Sequence, residues 1–307
     1  MPRARTLDLV IHGARADRPE LRAAVEWART VGHRVRARVT WEPGDARRLA
    51  ADAVRAGTDV VVAAGGDGTL NGVVNGVLFA ASAHDRRHAP AVGVLPLGTA
   101  NDFARQIGMP EDPRVALPLL VEQEARPMDV GLLNGRAFLN VSSAGVGAEA
   151  TAAASAGVKG LFGPLAYALA GAFKLAADAD GRRARFSGPG FAWELEYLAF
   201  AVGNARATGA GVAIAPRADV RDGLLDLCVV EPVAARDVGG LLLGLRRGEH
   251  LDRDGVHYVQ APWVRVESAT PVAVNVDGEA LSLAALEYGV AREALRVVAP
   301  RDPSAPA

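Results

Sequence analysis

Two glycine-containing segments carry the polar residues best suited to binding phosphate. The first, Gly65-Gly66-Asp67-Gly68-Thr69, follows the apolar run 59–64 and precedes a segment with helical apolar spacing. Glycine lets the backbone approach a phosphate closely, and a helix beginning there offers free N–H groups and its positive dipole end. Asp67 would repel phosphate, so we expect magnesium or a water between them. A glycine cluster can also be a plain tight turn, but the acidic residue and the strand–loop–helix context favour a phosphate site.

The second segment, Val94–Ala104, also ends a strand-like run and opens a helix-like one. Thr99, Asn101 and Asp102 could cap that helix or contact a nucleotide and its metal. Capping explains one of these residues more easily than three. Because the chain lacks the pattern Gly-x4-Gly-Lys-Ser/Thr, a Walker-type phosphate loop is excluded.

The first third of the chain alternates strand and helix patterns, which predicts a doubly wound α/β domain with a mainly parallel sheet. Strand-like segments are 7–11, 34–40, 59–64 and 91–95, and helix-like segments are 18–31 and 45–56. Continuous apolar runs such as 59–64 are typical of strands buried on both faces. We therefore assign residues 1–125 to a nucleotide-binding domain, which the strand candidate 295–298 could complete through 291–300.

From about residue 126 the pattern changes to short strands separated by Gly, Asn, Asp and Pro, which predicts a mainly antiparallel β-sandwich-like domain over 126–290. Its strand candidates are 137–142, 193–203, 225–230, 257–261, 263–267 and 272–276, with helices near 163–177 and 235–246. Residues 301–307 are interpreted as a frayed tail.

Composition narrows the class of protein. Hydrophobic residues make up 50% and charged residues 22% of the chain, as in a globular protein. The net charge of −1 argues against a dedicated nucleic-acid binder. The single cysteine, Cys228, lies in an apolar run and is interpreted as a buried thiol. No segment reaches the roughly 20 apolar residues of a membrane span, so we expect a cytoplasmic protein with peripheral membrane contact at most.

Further motifs complete a resemblance to a known family. The two glycine segments are accompanied by 36–46, Val202-Gly-Asn-Ala-Arg206, Arg221–Asp226 and Asn275-Val-Asp-Gly-Glu279. This ordered set resembles the diacylglycerol kinase superfamily, and within it the bacterial YegS-type lipid kinases, over nearly the whole chain. The turn after the first strand departs from the family pattern: it is His12-Gly-Ala-Arg15 here.

The resemblance implies an ATP-dependent lipid kinase that transfers the γ-phosphoryl group to a lipid hydroxyl. ATP would lie between the domains, with Asp67 also in the catalytic machinery. The implied nucleotide-binding residues are Thr40, Gly65, Gly66, Asp67, Gly68, Thr69, Leu70, Asn71, Gly72 and Thr99. Glu279 matches the general base that takes the proton from the lipid hydroxyl. The pair Asp277-Gly278 is also typical of a hairpin turn, and both interpretations can hold together.

The resemblance also implies a magnesium site formed by Asp219, Asp222 and the carbonyl of Leu224, oxygen ligands that suit a hard cation. An Asp-Gly turn is the simpler alternative for this segment. The acceptor stays open among diacylglycerol, phosphatidylglycerol, a sphingoid base and a polyprenyl or glycolipid alcohol. Residues near Leu161, Phe162 and Tyr167 are candidates for the acyl cleft, and a homodimer is left open.

Two alternatives compete with the lipid kinase. An NAD kinase shares the Gly-Gly-Asp-Gly-Thr loop, but the stretch 96–102, Asn204 and the Asp222 segment argue against it. The other alternative is a catalytically silent nucleotide- or lipid-binding protein. The retained carboxylates of Asp67, Asp222 and Glu279 argue against that reading, because a pure binder needs no base.

Overall fold

The computed structural model describes residues 4–82, 89–145, 182–209, 211–234 and 236–300. The chain forms two compact units, Met1–Met128 with Glu293–Ala307, and Asp129–Arg292. The helix expected near 163–177, the acyl-cleft candidates Leu161, Phe162 and Tyr167, and the tail 301–307 lie outside the described residues.

The first unit alternates strands and helices. Its elements are β1 Thr6–Ile11, α1 Pro19–Thr30, β2 Arg34–Val39, α2 Asp45–Arg55, β3 Val60–Gly65, α3 Asp67–Ser82, β4 Ala91–Pro96, α4 Asp102–Gln106 and α5 Pro113–Glu122. Strands β3 and β4 are buried along their whole length, as their continuous apolar sequences predict. Each fully buried Val or Leu side chain contributes about 1.5–3 kcal/mol to folding.

The strand order of this unit positions its loops. The order is β14 (Glu279–Val298), β4, β3, β1, β2, and every pairing in it is parallel. Helix α2 packs against α3, and α1 packs against α5. The chain steps from β1 to β2 on one side of the neighbouring pair β1 and β3, and from β3 to β4 on the other side, so this pair is the topological switch point of the sheet. Open α/β sheets bind ligands at such a point.

The second unit is built mainly from antiparallel strands. Its elements are β5 Ala125–Leu133, β6 Arg136–Phe138, β7 Val141–Gly145, β8 Arg182–Gly188, β9 Phe191–Tyr197, β10 Ala199–Gly203, β11 Leu225–Val230, α6 Val238–Arg247, β12 Val256–Ala261, β13 Trp263–Val276 and β14. Strand β5 begins in the first unit, and β14 ends in it.

The antiparallel order in this unit is β12, β11, β10, β7, β13, β14, while β8 pairs with β13 and β9, and β5 pairs with β14 and β6. Its core includes an aromatic group in which Phe186 meets Tyr197 and Phe200 edge to face, at centroid distances of 5.9 and 5.2 Å. Cys228 is fully buried as expected, and burial raises the pKa of its thiol to about 12. The predicted fold class, an α/β domain followed by a β-sandwich-like domain, is confirmed.

Several strand candidates differ from the structure in extent, among them 193–203, which forms the two strands β9 and β10. The candidates 263–267 and 272–276 form one strand, β13, whose register with β14 shifts between Glu267 and Val272. The candidate 295–298 is the end of the 20-residue strand β14. The candidate 137–142 divides into β6 and β7, because the N–H groups of Leu139 and Asn140 bond to a side chain.

Candidate functional site

Four loops of the first unit meet at the carboxyl edge of its parallel sheet. They follow β1, β2, β3 and β4 and contain, respectively, the turn Gly13–Arg15, Thr40, the Gly65–Thr69 segment and the Gly98–Asp102 segment. Both glycine segments found in the sequence therefore lie at the carboxyl edge of the sheet, near the switch point formed by β1 and β3. This is the location at which nucleotide phosphates are bound in open α/β sheets.

The two glycine segments are in direct backbone contact. A Cβ added to Gly98 would lie 2.4 Å from Cα of Gly66, and one added to Gly66 would lie 3.2 Å from Cα of Gly98. The N–H of Leu97 donates to the carbonyl of Gly65 at 2.8 Å. By contrast, a Cβ at Gly68 would meet nothing within 4 Å. Gly66 and Gly98 are thus required for loop packing, whereas Gly68 faces open space where a phosphate could approach.

Asp67 connects these segments through its side chain. Its Oδ2 accepts a hydrogen bond from the N–H of Asp102 at 3.2 Å, and its Oδ1 accepts one from the N–H of Phe103 at 3.3 Å. Asp67 therefore caps α4 from a distant part of the sequence, a role that the sequence did not predict. Its predicted part in catalysis stays a prediction.

In the second loop, Asn101 stabilises the turn and Thr99 is exposed to solvent. Asn101 has φ 51°, its Oδ1 accepts from the N–H of Gly98 at 3.0 Å, and its amide donates to the Gly98 carbonyl at 3.1 Å. Asn101 therefore closes the turn. Thr99 is exposed, so its side chain is available to a ligand.

Thr40 lies against the unusual turn after β1. Its Oγ1 accepts a hydrogen bond from the N–H of Gly13 at 3.2 Å, and a Cβ at Gly13 would lie 2.5 Å from the Thr40 carbonyl oxygen. The next residue, Trp41, is 94% exposed, while its N–H donates to Asp45 at 2.8 Å. Main-chain donors from Trp41 and Glu42, together with Arg48, lower the pKa of Asp45 to about 2.

Several residues predicted to bind the nucleotide are packed against other parts of the protein. Thr69 and Leu70 are buried, and the Thr69 side chain lies directly over Gly65. The buried Asn71 accepts from the amide of Asn75 at 3.0 Å. Gly72 faces α2, because a Cβ there would lie 2.8 Å from Ala46. Any nucleotide contact from these residues would come from the start of α3 through its backbone.

In the second unit, the predicted magnesium residues form a loop before β11. Asp219 Oδ1 accepts from the N–H of Arg221 at 3.1 Å, and Asp222 Oδ1 accepts from the N–H of Leu224 at 2.9 Å. Asp129, which sequence reasoning missed, accepts from the N–H of Gly223 at 2.7 Å. A lone carboxylate inside the apolar strand β5 was the signal that could have identified it.

The charge of this loop fits a hard cation. Burial raises the pKa of Asp222, and the nearby carboxylates of Asp219 and Asp129 raise it further. A divalent cation would relieve this repulsion, and its remaining coordination positions would be filled by water. Within the part of the chain that is described, no cluster of three or more His, Cys, Asp or Glu side chains is arranged to hold a metal. The Asp219–Asp222–Leu224 site therefore stays a prediction.

Glu279 begins β14 immediately after a two-residue hairpin. Asp277 and Gly278 have φ of 47° and 95°, and Val276 pairs with Glu279, so the hairpin turn is present. The Glu279 carboxylate contacts the guanidinium of Arg136 on β6.

Asp277 holds this hairpin to the chain between β6 and β7. Its carboxylate accepts from the N–H groups of Leu139 at 2.7 Å, Asn140 at 2.9 Å and Val141 at 3.3 Å. Asn204 holds the same stretch from the other side, because its amide donates to the Leu139 carbonyl at 3.0 Å and to the carbonyl of Asp129 at 3.3 Å. A buried polar chain therefore runs from the hairpin to the segment that contacts the Asp222 loop.

Comparison with known proteins shows the family of the chain. Residues 10–133 match the diacylglycerol kinase catalytic domain, and residues 140–299 match the YegS C-terminal NAD kinase beta sandwich-like domain. A probable lipid kinase YegS-like protein of Pseudomonas aeruginosa is 43% identical over 292 residues, covering 95% of this chain and 93% of the relative. One from Xanthomonas oryzae pv. oryzae is 40% identical over 281 residues, covering 88% of each chain.

The chain therefore belongs to the YegS-like lipid kinases of the diacylglycerol kinase superfamily, and it is a lipid kinase. This confirms the predicted family and enzyme class and sets aside the NAD kinase and the silent binder. A putative diacylglycerol kinase from Bacillus anthracis has the same fold, with a TM-score of 0.78 at 22% identity over 96% of this chain and 97% of that one. None of the helices in the described ranges has the length and apolar character needed to span a membrane.

Proposed function

We propose that this lipid kinase uses ATP with magnesium and transfers the γ-phosphoryl group to the hydroxyl of a lipid such as diacylglycerol or phosphatidylglycerol. The observation that carries the proposal is the contact between the two glycine segments, where Asp67 ties the β3 loop to the start of α4. The pair presents an open Gly68 and an exposed Thr99 at the carboxyl edge of the sheet, as a phosphate-binding surface requires.

The transfer assigns one chemical task to Glu279. The acceptor oxygen forms a bond to the γ-phosphorus as its proton passes to the Glu279 carboxylate. The bond from the γ-phosphorus to the bridging oxygen breaks, and ADP leaves with that electron pair. Backbone N–H groups at the start of α3 stabilise the charge on the phosphate oxygens. When bound, magnesium would neutralise phosphate charge, and Asp219, Asp222 and Leu224 are the residues proposed to hold one ion.

The lipid acceptor implies a second partner, the membrane surface. We propose peripheral contact, since the substrate is embedded in a bilayer and no described helix spans one. A homodimer stays a prediction from the sequence.

The proposal is tested by incubating the protein with labelled ATP, magnesium and a panel of lipid alcohols in mixed micelles. The panel contains diacylglycerol, phosphatidylglycerol, a sphingoid base and a polyprenyl alcohol. Wild type should label one class, and Glu279→Gln should lower kcat about 100-fold or more, the range of general-base losses. Glu267→Gln, an exposed carboxylate on β13, is the matched control and should keep full activity. Full activity of Glu279→Gln would remove Glu279 from the mechanism.

A further inference from the structure

The hairpin that carries Glu279 has two side-chain contacts of unequal strength with residues 136–141. The first is the ion pair between Glu279 and Arg136. The Glu279 side chain is 60% exposed and the Arg136 side chain is 35% exposed. Exposed ion pairs of this kind contribute about 0–1 kcal/mol. The second is the Asp277 carboxylate, which is 8% exposed and accepts from three consecutive N–H groups.

The buried contact is the one able to set the position of Glu279. Hydrogen bonds to a charged group contribute about 1.5–3 kcal/mol each, so the Asp277 contacts outweigh the Arg136 pair. Within the turn, Gly278 also donates to Asn275 Oδ1 at 2.9 Å, and the N–H of Asp277 donates to the Val141 carbonyl at 3.3 Å. Only Gly278 separates Asp277 from Glu279 along the tight turn, so a shift at Asp277 moves Glu279.

The stretch that receives Asp277 is itself fixed. The N–H groups of Asn204 and Ala205 donate to the Asn140 carbonyl at 2.9 and 3.0 Å, and Asn204 is 1% exposed. Leu139 and Asn140 leave the β ladder between β6 and β7, so their N–H groups are directed to Asp277 instead of to a strand. The break between β6 and β7 thus supplies the N–H groups that bind the Asp277 carboxylate.

We infer that Asp277 is a positioning residue for phosphoryl transfer, which holds the Glu279 carboxylate in place through the N–H groups of Leu139, Asn140 and Val141. This inference rests on the proposed role of Glu279 as base. In this role Asp277 acts through Glu279 and needs no contact with the substrate. Its substitution should change the rate of the chemical step and leave substrate affinity nearly unchanged, because displacement of a catalytic group by about 1 Å can cost about 100-fold in rate.

The test is a double-mutant cycle on the full-length protein with Asp277→Asn and Glu279→Gln. Asp277→Asn should lower kcat about 10- to 100-fold, with KM for ATP and lipid within about threefold of wild type. In the Glu279→Gln background the same change should alter kcat by less than about twofold, because the carboxylate it positions is gone. An equal fold-loss in both backgrounds would show a general structural role and overturn the inference while the proposed function stands.

Amide hydrogen exchange gives a readout that does not depend on activity. In Asp277→Asn the amides of Leu139, Asn140 and Val141 should exchange faster, while those of β3 stay protected. Unchanged exchange at these three amides would also overturn the inference. If Asp277→Asn does not fold, Asp277→Glu replaces it, because it keeps a carboxylate displaced by one methylene; wild-type kcat in a folded Asp277→Glu would count against positioning.

The proposed function is contradicted by different results from those that would overturn the role of Asp277. A wild-type protein that labels no lipid alcohol contradicts the kinase proposal directly. An active enzyme whose Glu279→Gln variant keeps wild-type kcat contradicts the base assignment and the Asp277 inference together.

Discussion

The carboxylate of Asp67 accepts a hydrogen bond from the main-chain N–H of Phe103 at 3.3 Å, across 36 residues of sequence. The other carboxylate oxygen accepts from Asp102 at 3.2 Å. An aspartate that the sequence connects with magnesium and phosphate therefore also joins the two loops that would surround that phosphate. The acidic residue among the glycines is explained by this contact even before a ligand binds.

Replacing Asp67 with asparagine should weaken nucleotide binding by loosening the second loop. An amide has one acceptor oxygen, so one of the two N–H groups would lose its partner, at a cost of about 0.5–2 kcal/mol in stability. We expect ATP affinity to fall about three- to tenfold, measured by titration with a non-hydrolysable ATP analogue. Asp112→Asn is the control, since Asp112 caps α5 by accepting from Arg114 at 2.9 Å. Equal losses of ATP affinity in the two variants would contradict the loop-joining role.

Gly98 and Gly68 should respond to alanine in opposite ways. Gly98→Ala places a methyl group 2.4 Å from Gly66 Cα and 2.7 Å from Asn101 Oδ1, so stability should fall by about 1–3 kcal/mol. Gly68→Ala meets no protein atom within 4 Å, so the melting temperature should stay nearly constant while ATP affinity falls through contact with the phosphate. Thermal unfolding and ATP titration of both variants check this. Wild-type ATP affinity in Gly68→Ala would mean that Gly68 does not face the phosphate.

The sequence predicts those features that repeat along the chain or occur in a single loop. Apolar runs located β1, β3 and β4, period-two alternation located β2, and glycines located both glycine segments. Strand β5, strand β8 and helix α5 were not predicted. Helix α5 was missed because it contains Pro118 in its interior, and proline usually ends a helix.

Hydrogen bonds between a side chain and a distant backbone segment produce no periodic pattern in the sequence. Nothing near Asp67 indicates that its partner is Phe103, and nothing near Asp277 indicates Leu139. The residue types were visible, and the turn 277–278 was predicted, but the acceptors of these N–H groups depend on how distant segments fold together. For the same reason the role of Asp129 against Gly223 could only be read from the structure.

The Asp222 loop should make thermal stability depend on magnesium. A cation that binds the folded state raises stability by RT ln(1 + [Mg²⁺]/Kd), about 2.7 kcal/mol at 100 times Kd. We expect the melting temperature of the nucleotide-free protein to rise with added magnesium, and Asp222→Ala to abolish this rise. Asp237→Ala, an exposed aspartate beside α6, should respond like wild type. A rise that persists in Asp222→Ala would place the ion elsewhere.

Asp226 should make the second unit less stable as pH rises from about 4 to 6. The residue is fully buried, and Tyr258 donates a hydrogen bond to its Oδ1. Burial raises the pKa of its carboxyl from 3.8 to about 6. Below pH 3.8 both folded and unfolded forms are protonated. Between these values only the folded form keeps the proton, so the free energy of unfolding falls as pH rises and levels off above pH 6.

Asparagine at this position removes that dependence and keeps an acceptor for Tyr258. A pKa difference of this size corresponds to roughly 3 kcal/mol, so Asp226→Asn should gain stability over wild type by up to about that amount at pH 7 and by little at pH 4. Urea unfolding at both pH values, with chelator present, measures the difference. Asp254→Asn, an exposed neighbour of β12, should show no such difference. An Asp226→Asn effect that is the same at pH 4 and pH 7 would show that the carboxyl does not titrate in this window.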